Sequence, residues 1–124
     1  MSAGATHRGR ILLEQKRYAD AEKYFREGLA SDPNDAEAFY FLAVCQLNQD
    51  RPKEALETVE RALEFSPEAS ESHALRSLIL SDLERSREAL AAAEEAIRLD
   101  PDSDFGFVAQ AAAHLRRQNW SAAE

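Results

Sequence analysis

The sequence predicts an all-α chain, a solenoid of antiparallel helix pairs. Three observations predict it. Pro33, Pro67 and Pro101 stand 34 residues apart, and the segments ending at them, KRYADAEKYFREGLASDP, RPKEALETVERALEFSP and ERSREALAAAEEAIRLDP, overlie one another without insertion or deletion. Each period holds two stretches of about 12–14 residues whose apolar positions recur at helical spacing, the length of an ordinary helix. Ala, Leu, Glu and Arg dominate the 124 residues while Gly and Pro number only 4 each, a helix-forming composition with little room for long loops. A fixed short period means stacked structural units, each burying its apolar face on the next.

Taken from Ser2, the repeats run 2–35, 36–69 and 70–103, and a partial fourth covers 104–124, so the chain reads as one array over 1–124. The first helices are predicted over 4–15, 36–48, 70–82 and 104–117. The second helices are predicted over 18–31, 52–65 and 86–98, with a last one starting at Trp120. Pro52 suits a first helical turn, where an N–H would have no intrahelical partner. The prolines after Asp32, Ser66 and Asp100 end the preceding helices, because a residue before proline is pushed out of the α region. Asp35 and Ser103 are expected to cap the helices that follow.

Small residues recur at fixed places in the period. The eighth positions are Gly9, Ala43, Ser77 and Ala111; the twentieth are Ala21, Ala55, Ala89 and Ala123; the twenty-seventh are Gly28, Ala62 and Ala96. Close helix contacts need such residues. Large apolar residues alternate with them: Leu12, Phe25 and Leu29, then Phe39, Leu42, Val59 and Leu63, then Leu80, Leu90 and Ile97. This alternation, with its period and closing proline, resembles the tetratricopeptide repeat family. The second repeat matches best, through Phe39, Leu42-Ala43, Ala55, Val59, Ala62 and Pro67. The first keeps Gly9, Tyr18, Ala21, Phe25 and Pro33. The third keeps Ala89, Ala96 and Pro101, with His73 and Ala93 standing in aromatic slots. The resemblance implies a right-handed superhelix, and it speaks for the fold more than for any one function.

The resemblance also implies where a ligand would go. First-helix positions 2, 5, 6, 9, 12 and 13 line the concave surface in this family, and arrays of this kind bind there. Carried over, these positions supply an apolar middle of Tyr40, Phe41, Val44, Leu47, Leu75, Leu78, Phe105 and Val108, with Arg10 and Asn48 as polar contacts. Glu14, Glu37, Glu71 and Asp82 form an acidic edge. Such a groove suits an extended peptide or amphipathic helix, and the acidic edge favours a basic one. Chaperone-adaptor members grip a terminal carboxylate with Lys and Asn in the first repeat, Asn in the second, and Lys and Arg in the third. The matching positions here are Thr6, Arg10, Phe41, Glu71 and Leu75, so that clamp is absent.

Composition and spacing exclude other classes. A net charge of −8 argues against a nucleic-acid partner, which needs a basic field, and against anionic membrane surfaces. No apolar run reaches the roughly 18 residues of a membrane span. The N-terminus has no apolar h-region, and a single cysteine fits a reducing, cytoplasmic setting. His7, His73 and His114 show no metal-ligand spacing, and Asp100, Asp102 and Asp104 read as turn chemistry, not a calcium loop. No nucleophile is paired with a base, so neither an enzyme nor a cofactor is expected. Cys45 is expected inside, as a small hydrophobe. The leading expectation is a protein-interaction scaffold; the alternative is self-assembly into a homo-oligomer through the C-terminal edge. There the chain reads as a fragment, because no second helix covers Phe107, Ala111 and Leu115.

Overall fold

The computed structural model describes the backbone of residues 2–123 and the side chains of residues 4–117. Among these, seven helices and no strand are present: α1 (Ser2–Glu14), α2 (Tyr18–Ser31), α3 (Ala36–Asn48), α4 (Pro52–Phe65), α5 (Ser70–Asp82), α6 (Ser86–Leu99) and α7 (Asp104–Ala123). The chain divides into two compact units, Met1–Pro67 with α1–α4 and Glu68–Glu124 with α5–α7. In the first, α1 packs on α2, α2 on α3 and α3 on α4; in the second, α5 packs on α6 and α7 lies against both.

The turns inside the helix pairs share one device. Lys16, Asp50 and Glu84, again 34 residues apart, each sit near φ +60°, a left-handed conformation unusual for residues with a side chain. The next residue then reaches back across the turn: the N–H groups of Arg17, Arg51 and Arg85 donate to the carbonyls of Leu12, Gln46 and Leu80 at 2.9 Å. This closes each first helix and satisfies one of its orphan carbonyls. The same arginines pair with an acid in the next helical turn, as Arg17–Asp20, Arg51–Glu54 and Arg85–Glu88 at 2.8, 2.9 and 2.6 Å. Between pairs, the Oδ1 atoms of Asp32 and Asp100 accept the N–H groups of Asn34 and Asp102. Asp35 caps α3 by accepting the Ala38 N–H at 3.2 Å, and Pro52 occupies the first turn of α4. Asp100 and Asp102 are thus turn residues, and no group of three acids, histidines or cysteines among the described residues is placed to hold a metal.

The periodic small residues lie in the core. Ala21, Ala43, Ala55, Ala62, Ala89 and Ala96 are fully buried, as are Phe25, Val59 and Leu80. A methyl added to Gly9 would come within 2.7 Å of the Phe25 ring, so the ring packs where a side chain would otherwise stand. Cys45 joins Ala21, Phe25 and Leu42 in the first unit's core, and burial pushes its thiol pKa up to about 12. The second unit's core gathers Ala74, Ala93, Ala96 and Ala109, with Leu78 and Phe105 against it.

One element departs from expectation. The predicted end of a helix at 117 and a new start at Trp120 give way to a single helix through Ala123. No glycine or proline interrupts residues 116–123, and a left-handed residue is strained unless later packing holds it. The side chains of Trp120 and Ala123 lie outside the described residues. Ala111 is exposed, unlike its counterparts Gly9, Ala43 and Ser77.

Candidate peptide-binding face

In the first unit the predicted residues sit on α1 and α3, and the ring of Phe41 ties them together. Phe41 stacks on the core ring of Phe25 with centroids 5.5 Å apart and an 18° interplanar angle, and meets Tyr40 edge to face at 5.3 Å. Such pairs contribute about 0.5–1.5 kcal/mol beyond burial. The guanidinium of Arg10, reaching from α1, lies 5.4 Å from the Phe41 centroid, within cation–π range, with its Nη1 3.9 Å from Glu37 Oε1. Tyr40, Phe41, Val44 and Leu47 are all half-buried. Phe41 also packs against the first unit's core of Ala21, Phe25, Leu42 and Cys45. Asn48 is exposed, but its amide donates to the Val44 carbonyl at 2.8 Å and is held on its own helix.

The second unit treats its predicted residues differently. Leu75 is only 3% exposed, so its assignment as a groove anchor is corrected to a packing residue. Leu78 and Phe105 are half-buried against the alanine core, whereas Val108 is 57% exposed on α7. The acidic edge is partly neutralised, because Asp82 accepts a bond from Arg116 of α7 at 3.0 Å.

A charged cluster that sequence reasoning missed holds the first unit together. The Glu22 side chain, 12% exposed, accepts bonds from Arg51 at 2.5 Å, Gln49 at 2.9 Å and Arg26 at 2.8 Å. Burial pushes its pKa upward, and the hydrogen bonds from Arg51, Gln49 and Arg26 together more than offset this, leaving it below the usual glutamate value. It clips α2 to the turn between α3 and α4. The signal was present in the repeat, since the equivalent residues are Leu56 and Leu90.

Paired helices repeating with a 34-residue period, small residues at the contacts and no strand define an all-α repeat protein of the helical-hairpin class. More narrowly, the chain belongs to the tetratricopeptide repeat family, whose profiles match residues 12–79 and 70–103. No curated protein sequence resembles it closely enough to count as a relative. Solved structures share the fold at low identity. The first TPR domain of human RPAP3 superposes with a TM-score of 0.91 at 14% identity, covering 100% of this chain and 98% of that one. The Sgt2 TPR domain from Aspergillus fumigatus gives 0.89 at 19% identity, covering 99% and 83%. The second TPR domain of human RPAP3, solved in complex with the HSP70 peptide SGPTIEEVD, gives 0.84 at 19%, covering 91% and 94%.

Proposed function

We propose that the chain is a protein-interaction module whose first unit receives a partner peptide or amphipathic helix on the α1–α3 face. Tyr40, Phe41, Val44 and Leu47 form its apolar wall, and Arg10 provides its polar contact. The observation that carries this reading is the Arg10 guanidinium over Phe41, beside Tyr40. A preformed aromatic surface with hydrogen-bond donors above it offers apolar anchorage and main-chain capture together. The structurally similar RPAP3 domain bound to an HSP70 peptide supports peptide binding as the use of this scaffold. That peptide's chemistry does not transfer, since Thr6 is buried and Glu71 is an exposed acid where a carboxylate-gripping set would need donors. The exposed acid Glu14 favours a partner with basic residues beside its apolar ones, while Glu37 is shared with Arg10.

The test is selection of a displayed peptide library on the immobilised chain, with Val44→Glu and Arg10→Glu as comparison proteins. Amphipathic, net-basic peptides should be enriched and lose at least about tenfold in affinity on Val44→Glu, a change of roughly 1.4 kcal/mol. Charge reversal at Arg10 should weaken them less. Enriched peptides that bind Val44→Glu as well as they bind the unaltered chain would show that another surface is used.

A further inference from the structure

Independently of that face, we infer that a cleft lined by α2, α3 and α4 is a second docking site, for a partner segment in which a large apolar side chain stands next to an Asp or Glu. The cleft measures about 390 Å³, within the roughly 300–1,000 Å³ of ligand-sized pockets. It lies wholly within the first unit. Leu29 of α2 with Phe39 and Leu42 of α3 give it an apolar lining. Arg26 of α2 and Arg61 of α4 supply cations, and Glu57 of α4 adds an acid.

Aromatic rings hold Arg61 in place. Its guanidinium lies 5.8 Å from the Phe39 centroid and 5.9 Å from that of Phe65, and the two rings stack 6.0 Å apart at 14°. Its ion pair with Glu64 is 3.7 Å long between two exposed side chains, beyond hydrogen-bond reach. Arg17, Arg85 and Arg116, by contrast, meet their acids at 2.8, 2.6 and 3.0 Å. Arg26 donates from Nε and Nη2 to one oxygen of Glu22, which leaves Nη1 for another acceptor. A guanidinium fixed over rings presents its N–H fork to a carboxylate without further ordering.

Repeat position argues for an acidic occupant. Arg26 corresponds to Glu60 and Glu94 in the other complete repeats, and Arg61 to Glu27 and Glu95. In a chain of net charge −8, two positions that are glutamate elsewhere are thus arginine where they line one apolar cleft. The rings are equally particular to the second repeat: Phe39 corresponds to Ala5 and His73, and Phe65 to Ser31 and Leu99. The helical hairpin forms without this set, so its convergence here points to recognition and not to packing. An apolar side chain fills the Leu29–Phe39–Leu42 lining while the neighbouring carboxylate bonds the arginines. Glu57, one turn before Arg61, directs that carboxylate to the Arg61 end. Charge separates the two sites, since the α1–α3 face favours basic partners.

The experiment follows the amide resonances of the full chain during titration with two blocked pentapeptides. Physiological salt is used, because it screens repulsion from the acidic chain beyond roughly 8 Å. One peptide carries phenylalanine flanked by two aspartates on each side; in the other, lysines replace the aspartates. The aspartate peptide should shift the amides of Leu29, Phe39 and Arg61. Its dissociation constant should rise at least about tenfold on Arg61→Glu, with helical content kept. Arg87→Glu, the same charge change at an exposed site on α6, should leave it unaltered. An absence of shifts at the cleft up to millimolar peptide overturns the inference. So does an affinity indifferent to Arg61→Glu, or a lysine peptide that shifts the same amides as strongly.

Discussion

The two units solve one packing problem with different chemistry. At the eighth and twenty-fourth positions the first unit pairs Gly9 with Phe25 and Ala43 with Val59, while the second pairs Ser77 with Ala93. Gly9 meets the Phe25 ring directly. Where both are small, a hydroxyl takes over: Ser77 Oγ donates to the Ala89 carbonyl at 2.7 Å and Ser70 Oγ to the Ala96 carbonyl at 2.9 Å, both buried. The first unit adds the Glu22 clip, and the second has Leu90 in that slot. Helix approach in this period is thus set by combined volume, with polar bonds filling what apolar bulk leaves out.

That contrast can be broken or sharpened. The largest effect is expected from Phe25→Ala, which empties the first core at a cost of about 3–5 kcal/mol. Hydrogen exchange should accelerate across α1–α3, and equal acceleration in α5 and α6 would show that the units are not separately held. Glu22→Gln should cost roughly 1–2 kcal/mol in urea denaturation, because a largely buried carboxylate loses its charge among arginines. The pH dependence has a definite sign. A folded pKa below the unfolded one gives stability that is complete above the ordinary glutamate value, about 4.3, and lost as pH falls through the depressed folded value. The glutamine variant should lose that part of the acid sensitivity; an unchanged profile would remove Glu22 from the account.

Gly9→Ala should cost about 1–2 kcal/mol, the overpacking against Phe25 exceeding the gain of roughly 1 kcal/mol in helix propensity. Adding Phe25→Val should restore part of the loss, since the pair would then match Ala43–Val59; simple additivity would refute volume compensation. The smallest effect is Ser77→Ala, about 1 kcal/mol for one buried hydrogen bond. Destabilisation beyond about 3 kcal/mol there would mean that the hydroxyl has a further role.

Much of this was legible beforehand. The bounds predicted for α3, α4 and α5 coincide with those observed, because Pro52, Asp35 and the periodic prolines act on the nearest few peptide units. The alanines at the contact positions were legible as core for the same reason of period. Leu75 was not: a leucine at a groove position and a leucine in a core share one pattern, and only burial separates them. Glu22 stood out as an acid in a leucine slot, yet its partners Gln49 and Arg51 are 27 and 29 residues away, beyond any local rule. The course of α7 was misjudged because the 34-residue period was carried over position by position. In the earlier repeats the turn at that place has Lys16, Asp50 or Glu84 in a left-handed backbone, a conformation costly for residues with a side chain.

The sequence by itself determined the period, the helices and which residues lie at the contacts, since these follow from side-chain size, proline geometry and apolar spacing along one segment. Only the tertiary structure decided which apolar residues keep an outer surface, how Glu22 is neutralised and where Arg10 rests. Those outcomes depend on distances between segments far apart in the chain, and burial and charge pairing are properties of neighbours in space.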